Sequence, residues 1–459
     1  MSFFRRRKPP EPSTLIGTGV HLDNPTRIVP IRLPERDRKR HTFVFGTTGV
    51  GKTRLAELMI EQDIRAGKNI VFLDPKGDQQ IFTKIFDVAR QCGRENEMQL
   101  VTPIYPEYSA VIDPMAYYFM PDELVGHLVA GIKDGKEPFY RNVAKEVATA
   151  VVTGTILLAR AEGRPPIMNI DLVRQAIRRS ALEEMRQALE RIADPEAQSV
   201  AGVLQDILDS PQGYYEKVST TLRTALNELS SGNIGQIIGK AESNLFIERL
   251  EQGQGVILVV HTGSMITREA GETLGRVILS MIQSFVGRVY LSGRQRIDRG
   301  LSIYIDEAQS LFYRGVEDLF AKAGSAGVMV QAFAQSVNQL YSVLGESAAK
   351  AILDNTNTKI FMRAPDPETA EYVVQHFGRK KTLSTIYNPA QVTTREIEED
   401  VLRVQDVLDL QPRELFIMTY SGRYRGKTAE VEDPKLTIQF PDAPAIIRAD
   451  RSIGERHAV

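Results

Sequence analysis

The octapeptide Gly46-Thr47-Thr48-Gly49-Val50-Gly51-Lys52-Thr53 constrains this chain more than any other stretch. It satisfies the pattern G-x-x-x-x-G-K-[ST] at every fixed position. A pattern this short also arises by chance, so its flanks matter. "TFVFG" before it is an apolar run of strand length, and "KTRLAELMIEQDIRAG" after it is amphipathic at helical spacing, with Gly67 as the expected C-cap. Strand, glycine turn and helix start are the context the pattern needs. Gly49 and Gly51 let the backbone curl with its N–H groups inward, and the helix adds its positive end. Such a loop holds a triphosphate. Lys52 is expected to reach the β- and γ-phosphates and the Thr53 hydroxyl to ligate Mg²⁺, so ATP and Mg²⁺ are the expected cofactors.

Continuous apolar strands separated by helices predict a mostly parallel, twisted sheet covered on both faces, a RecA-like α/β P-loop fold. After the loop, the expected strands are "NIVFLD" (69–74), "GVILVV" (255–260), "LSIYID" (301–306), "GVMVQAF" (327–333), "TKIFMRA" (358–364), "ELFIMT" (414–419) and "LTIQF" (436–440). "RIVPIRL" (27–33) reads as a short edge strand, because Pro30 cannot sit in a central one. From about Pro121 to Glu242 the spacing is helical, and 165–240 is read as an all-helical insertion. The expected division is therefore a basic arm (1–40), a nucleotide-binding domain in two parts (41–164 and 241–440), the insertion (165–240), and a flexible tail (441–459).

A second strand ending in acid is expected beside the P-loop strand, and "LSIYIDEAQS" supplies it. Asp306 is the candidate Mg²⁺ ligand. Glu307 is the candidate group that orients or deprotonates the attacking water. Asp74, in "FLDPKGD", also ends an apolar strand and competes for the acidic role; only at 306–307 does a carboxylate pair follow. In "VMVQAFAQSVNQL", Gln335 falls just after a strand expected to neighbour the acidic one. It either bonds the γ-phosphate or water, or is a structural glutamine. Gln331 falls within that strand and Gln339 in the following helix.

Formal net charge is −1, so any nucleic-acid contact must come from local patches or a ring interior. Residues 1–40 carry ten basic and four acidic side chains, which suits either an arm for phosphates or acidic lipid, or a solvated leader. The single cysteine, Cys92, excludes a disulfide framework within the chain, and the six histidines show no metal-ligand spacing. The most apolar stretch, Val147 to Ala159, is shorter than the ~18 residues of a spanning helix. It is read as a buried core helix.

Taken in order, "RKRHTFVFGTTGVGKT", "NIVFLDPKGD", the helical insertion, "IYIDEAQS", "GVMVQAFAQSVNQL" and "NTKIFMRAPDPETAEYV" resemble the TraG/TraD family of conjugative type IV coupling proteins, within the FtsK/HerA group of ring ATPases. The resemblance spans about residues 40 to 375. It implies a hexameric ring that hydrolyses ATP and moves DNA, with attached protein, into a secretion channel. The implied partners are a relaxosome-type DNA complex, secretion-channel ATPases and a membrane anchor protein. The implied location is cytoplasmic, at the inner face of the bacterial cytoplasmic membrane; most members of the family begin with transmembrane helices, and the sequence departs from that pattern in showing no such segment. Gln335 matches the family's sensor glutamine, and Arg40 falls where an arginine reaches the neighbouring subunit's nucleotide. An arginine that many relatives carry before the glutamine strand is missing from "AKAGSAGV" (321–328), where Lys322 is the only cation; Lys322 and Arg363 are its candidate substitutes. Two alternatives stay beside this reading: a double-stranded DNA translocase for segregation or repair, and an ATP-dependent docking platform for protein substrates.

Overall fold

Alternation of buried side chains builds the sheet. Phe43 and Phe45 pack with Val71 and Leu73 on one face, while Val44 packs with Ile70 and Phe72 on the other. Every one of these residues is at most 1% exposed, as expected of strands covered on both sides. The computed structural model describes residues 11–132, 138–239, 243–294, 296–388 and 391–440. The strands are β1 (Ser13–His21), β2 (Asn24–Pro34), β3 (Thr42–Phe45), β4 (Asn69–Asp74), β5 (Met98–Val101), β6 (Ile257–His261), β7 (Leu301–Ile305), β8 (Val328–Ala334), β9 (Thr358–Phe361), β10 (Arg379–Asn388), β11 (Gln391–Asp400), β12 (Glu414–Thr419) and β13 (Gly422–Thr428). They form an 11-stranded sheet ordered β2-β1-β13-β12-β9-β3-β8-β7-β4-β6-β5, with β10 and β11 as a separate antiparallel pair. From β9 to β5 the neighbours are parallel; from β9 outward through β12, β13, β1 and β2 they are antiparallel.

One expectation about order is corrected. The acidic strand β7 does not lie beside the P-loop strand β3, because β8 pairs with both and separates them. The crossover has a consequence for chemistry, since it puts Gln335 between the two.

Short helix α1 (Glu35–Arg38) leads into β3. Helices α2 (Lys52–Arg65) and α3 (Gln79–Gln91) cover one face of the sheet through Leu55, Met59, Ile81, Phe82 and Ile85. Helix α2 ends as its glycine predicts. Gly67 has φ +77°, and the N–H of Lys68 donates to the Asp63 carbonyl at 3.1 Å while that of Gly67 donates to Ile64, a Schellman turn. The core on the opposite face includes helices between β5 and β6, among them α4 (Pro121–Gly131), α5 (Pro138–Ala161), α6 (Ile170–Ala176), α7 (Arg179–Glu190), α8 (Pro195–Asp209) and α9 (Gln212–Ser230), together with the helix Glu269–Leu291 that follows β6. Residues 170–239 are thus largely helical, and their Leu182, Leu189, Ala197 and Leu204 share one continuous core with Phe43 and Leu258 of the sheet. Helix α5 carries the most apolar stretch. By length and composition its residues 141–161 suffice to cross a membrane, yet Ala144, Val147, Ala148, Val151 and Val152 are buried in this core.

Two further expectations change. Of the basic segment, residues 1–10 lie outside the described residues, and the remainder is not a solvated leader. It forms the β1–β2 hairpin at the sheet edge, because Ile16, Ile31 and Leu33 point inward and are at most 1% exposed. β2 is the edge strand, where its prolines are tolerated. Residues 436–440 form no strand. Leu436 and Ile438 pack on the α2–α3 side, and Phe440 stacks on Tyr105 with ring centroids 4.8 Å apart. The tail 441–459 lies outside the described residues.

Candidate nucleotide site

Parallel strands end their carboxyl edges on one side of a sheet, and ligands bind in the crevice there. Here Gly46 directly follows β3, Asp74 ends β4, Asp306 directly follows β7 and Gln335 directly follows β8, so residues far apart in sequence converge.

The P-loop bends as its glycines permit. Gly49 has φ +80° and Gly51 φ +106°, backbone that other residues adopt only with strain. The N–H of Gly46 donates to Ala334 (3.2 Å) and that of Thr47 to Arg363 (2.9 Å), which pins the loop to β8 and β9. From the far side the N–H of Arg413 donates to Val50 (2.9 Å). The first bond into α2 runs from Leu55 to Gly51 (3.0 Å), which leaves the N–H groups of Lys52, Thr53 and Arg54 without an intrahelical acceptor. No acidic residue occupies the first turn of α2 to compete for them. This cradle fits a phosphate, and the Thr53 hydroxyl with the Asp306 carboxylate is an oxygen donor set that fits Mg²⁺. Lys52 is 8% exposed, and its ammonium donates to the carbonyls of Gly46 (2.6 Å) and Thr47 (3.0 Å). Burial pushes its pKa down, while Asp306 and Glu307 oppose the shift; their charges reach it within one site.

On the acidic side, the N–H of Asp306 donates to Leu73 (2.9 Å), which aligns Asp306 with Asp74. Burial and then the Asp74 charge raise the Asp306 pKa to about 6. A divalent cation beside it would relieve both effects. Glu307 has φ +46°, a left-handed conformation rare for a side chain with a Cβ. Its carboxylate accepts from the Lys76 ammonium (2.6 Å), from Gln309 (2.5 Å) and weakly from Gln335 (3.4 and 3.5 Å). Burial raises its pKa, but the Lys76 hydrogen bond and charge outweigh that and hold it below the usual carboxylate range.

Asp74, the competitor for the acidic role, is engaged elsewhere. One oxygen accepts from the Lys76 N–H (2.8 Å) and the other from the Asp78 N–H (2.6 Å). It organises the turn that carries Lys76. Gln331 is buried within β8, and Gln339 sits in the helix capped by Ser336, donating to the Gln335 side-chain carbonyl at 3.5 Å.

Arg40 stands apart from this cluster. β3 runs from Arg40's end of the sheet to the P-loop's end, so Arg40 and Lys52 of one chain lie at opposite edges. The Arg40 guanidinium lies over the Tyr420 ring at 5.0 Å. It lines a cleft of about 460 Å³ together with Arg36, Lys39 and Lys322. Arg363, the other candidate cation, is exposed beside the P-loop.

Sequence reasoning missed Lys76 and Arg413. "DPKGD" was visible as a distinctive stretch, but a lysine in a turn acquires a partner only once β4 and β7 are known to be neighbours.

The chain matches the family model described as the type IV secretion-system coupling protein DNA-binding domain over residues 25–396. It belongs to this family. The coupling protein TrwB in its unbound form is 18% identical, with a TM-score of 0.64 over 88% of this chain and 89% of that one. TrwB in complex with ADP and Mg²⁺ is 17% identical, with a TM-score of 0.63 over 94% and 98%. VirB4 of Thermoanaerobacter pseudethanolicus shares the fold at 11% identity and a TM-score of 0.54 over 92% and 98%. At these identities the likeness is one of fold. The type 4 coupling protein DotL of Legionella pneumophila is 32% identical over 65 residues, which are 14% of this chain and 8% of that protein's length.

Proposed function

We propose that this coupling-family chain binds ATP with Mg²⁺, hydrolyses it, and uses the cycle to move DNA, with attached protein, into a type IV secretion channel as one subunit of a hexameric ring. The observation that carries the reading is the convergence of Lys52, Asp306, Glu307 and Gln335 at the carboxyl ends of neighbouring parallel strands, where the Gln335 amide comes within 3.4 Å of the Glu307 carboxylate. TrwB, which shares the fold, binds ADP with Mg²⁺.

In this reading the P-loop N–H groups and Lys52 hold the phosphates. Thr53 and Asp306 would hold Mg²⁺, which when bound would offset phosphate charge. Glu307 orients the attacking water and accepts its proton. Gln335, already within reach of Glu307, bridges that carboxylate and the γ-phosphate. Arg40 serves the next copy. Its place at the edge away from its own Lys52, in one cleft with Lys322, suits a cation that stabilises phosphate charge across a subunit boundary. Secretion-channel ATPases of the VirB4 type and a membrane anchor protein complete the assembly at the inner face of the bacterial membrane.

Hydrolysis measured with and without DNA tests the motor reading. DNA should stimulate turnover, and DNA binding should weaken steeply with salt. Turnover indifferent to DNA, together with nucleotide-dependent capture of a protein, would instead support the docking platform.

The trans role has its own test. Arg40→Ala should lower hydrolysis by roughly a hundred-fold. Mixing that variant with Lys52→Ala copies should restore part of the activity, because each supplies what the other lacks. No recovery in assembled mixtures would remove Arg40 from the neighbouring site.

A further inference from the structure

We propose that Lys76 is a releasable clamp on Glu307: its ammonium keeps the proposed base from the reacting water until the ring engages DNA. The inference rests on the functional reading above and extends it to regulation.

Three observations point the same way. First, the Lys76 ammonium sits 2.6 Å from Glu307 Oε1, while Gln309 donates to Oε2, so both carboxylate oxygens are occupied by protein donors. With each oxygen already taken by a donor, neither is open to a water's hydrogen. By contrast, the Gln335 contacts at 3.4 and 3.5 Å are weak, so Lys76 is the contact whose loss frees Oε1.

Second, Lys76 is held by its backbone rather than by its stem. The Asp74 carboxylate fixes the N–H groups of Lys76 and Asp78, and Gly77 makes the turn at φ +76°. The side chain itself is 46% exposed and has room to swing away.

Third, the turn is joined to an exposed one-turn helix, Ser264–Thr267. The N–H of Ser264 donates to the Pro75 carbonyl at 2.7 Å, and Gly77 lies against Gly263. This helix carries Met265 and Ile266, which are 85% and 74% exposed, and ends at Arg268 with φ +53°. A load on residues 264–268 is therefore passed through a backbone hydrogen bond to the residue preceding Lys76. Half-exposed ion pairs are weak enough for such a shift to break them.

The test combines turnover with a measurement that needs no turnover. Lys76→Met should raise DNA-free hydrolysis roughly five-fold, about the weight of one half-exposed ion pair, and shrink the stimulation by DNA to match. Nucleotide affinity should stay as in the parent, and Lys76→Arg should restore the parent's ratio. Lower turnover in Lys76→Met, or undiminished stimulation by DNA, would overturn the clamp. In parallel, an amine-reactive label read by mass spectrometry should modify Lys76 slowly in the nucleotide-free chain. An exposed lysine such as Lys427 serves as reference. Labelling of Lys76 should quicken in Glu307→Gln and on adding DNA with a non-hydrolysable ATP analogue. Lys76 as reactive as Lys427 from the start would refute the clamp even if the parent chain proved to hydrolyse nothing. That last result alone would refute the motor reading instead.

Discussion

Glu307→Gln is expected to slow ATP hydrolysis by roughly a thousand-fold while leaving nucleotide binding close to that of the parent. The amide matches the carboxylate in size, so the ends of β7 and β8 should hold their places although the ion pair with Lys76 is lost. What it loses is the ability to take a proton. The P-loop cradle is built from the residues around Lys52 and from backbone of Ala334, Arg363 and Arg413, and Glu307 makes no hydrogen bond to these groups among those described. Binding of a fluorescent ATP analogue and a phosphate-release assay on the same preparation separate the two effects. Parent-like turnover in this variant would move the base to another group. Asp74 would be a poor choice, because both of its oxygens already accept from the turn of Lys76 and Asp78.

The second large effect is expected far from the phosphates. Arg38 is fully buried and pairs bidentately with Asp63 at 2.6 and 2.7 Å. Tyr304 donates to the same carboxylate (2.6 Å), and Arg38 also donates to Tyr304 (3.0 Å) and Thr14 (2.8 Å). The network joins β1, α1, the P-loop helix α2 and the acidic strand β7. Removing one partner strands a charge in the core, so Asp63→Ala should destabilise the chain by ~3–5 kcal/mol. Denaturant titration measures it. The apolar pair Arg38→Met with Asp63→Leu should recover much of the loss; a double variant as unstable as the single one would mean that packing, not the stranded charge, sets the cost.

The pH dependence has a definite sign. Burial pushes the Asp63 pKa up, but the Arg38 charge and hydrogen bonds outweigh it and hold it far below the usual carboxylate range. A depressed folded pKa means stability that is present above the unfolded value and lost as pH falls toward the folded one. The gap between parent and Asp63→Ala should therefore be constant from pH 7 down to about 5 and shrink only below about 4, the ordinary aspartate pKa. Arg38 lies two residues before Arg40, so the same network fixes where the proposed trans arginine leaves the sheet.

Arg38 also marks a limit of reading the chain as letters. Within "RDRKR" it is one more basic residue of a charged segment, and nothing local separates it from Arg36, Lys39 or Arg40. Its burial follows from the hairpin and α2 closing over it. Tyr304 likewise lies in an apolar strand whose period says only that it is buried, without naming a partner 241 positions away.

The strand–loop–helix around Lys52, the mostly parallel sheet and the coupling-family resemblance were legible in the sequence alone, which also singled out Asp306, Glu307 and Gln335 as candidates. Each of these depends on contiguous residues, where glycine conformation, helix polarity and apolar period act over a few positions. Only the tertiary structure decided that β8 separates β3 from β7, that Asp74 holds a turn, that Lys76 meets Glu307, and that residues 13–34 complete the sheet edge. Those outcomes depend on strand order and on the pairing of charges from distant segments. Local physics leaves both open until the two faces of the sheet are buried and every charge taken inside must find its counterpart.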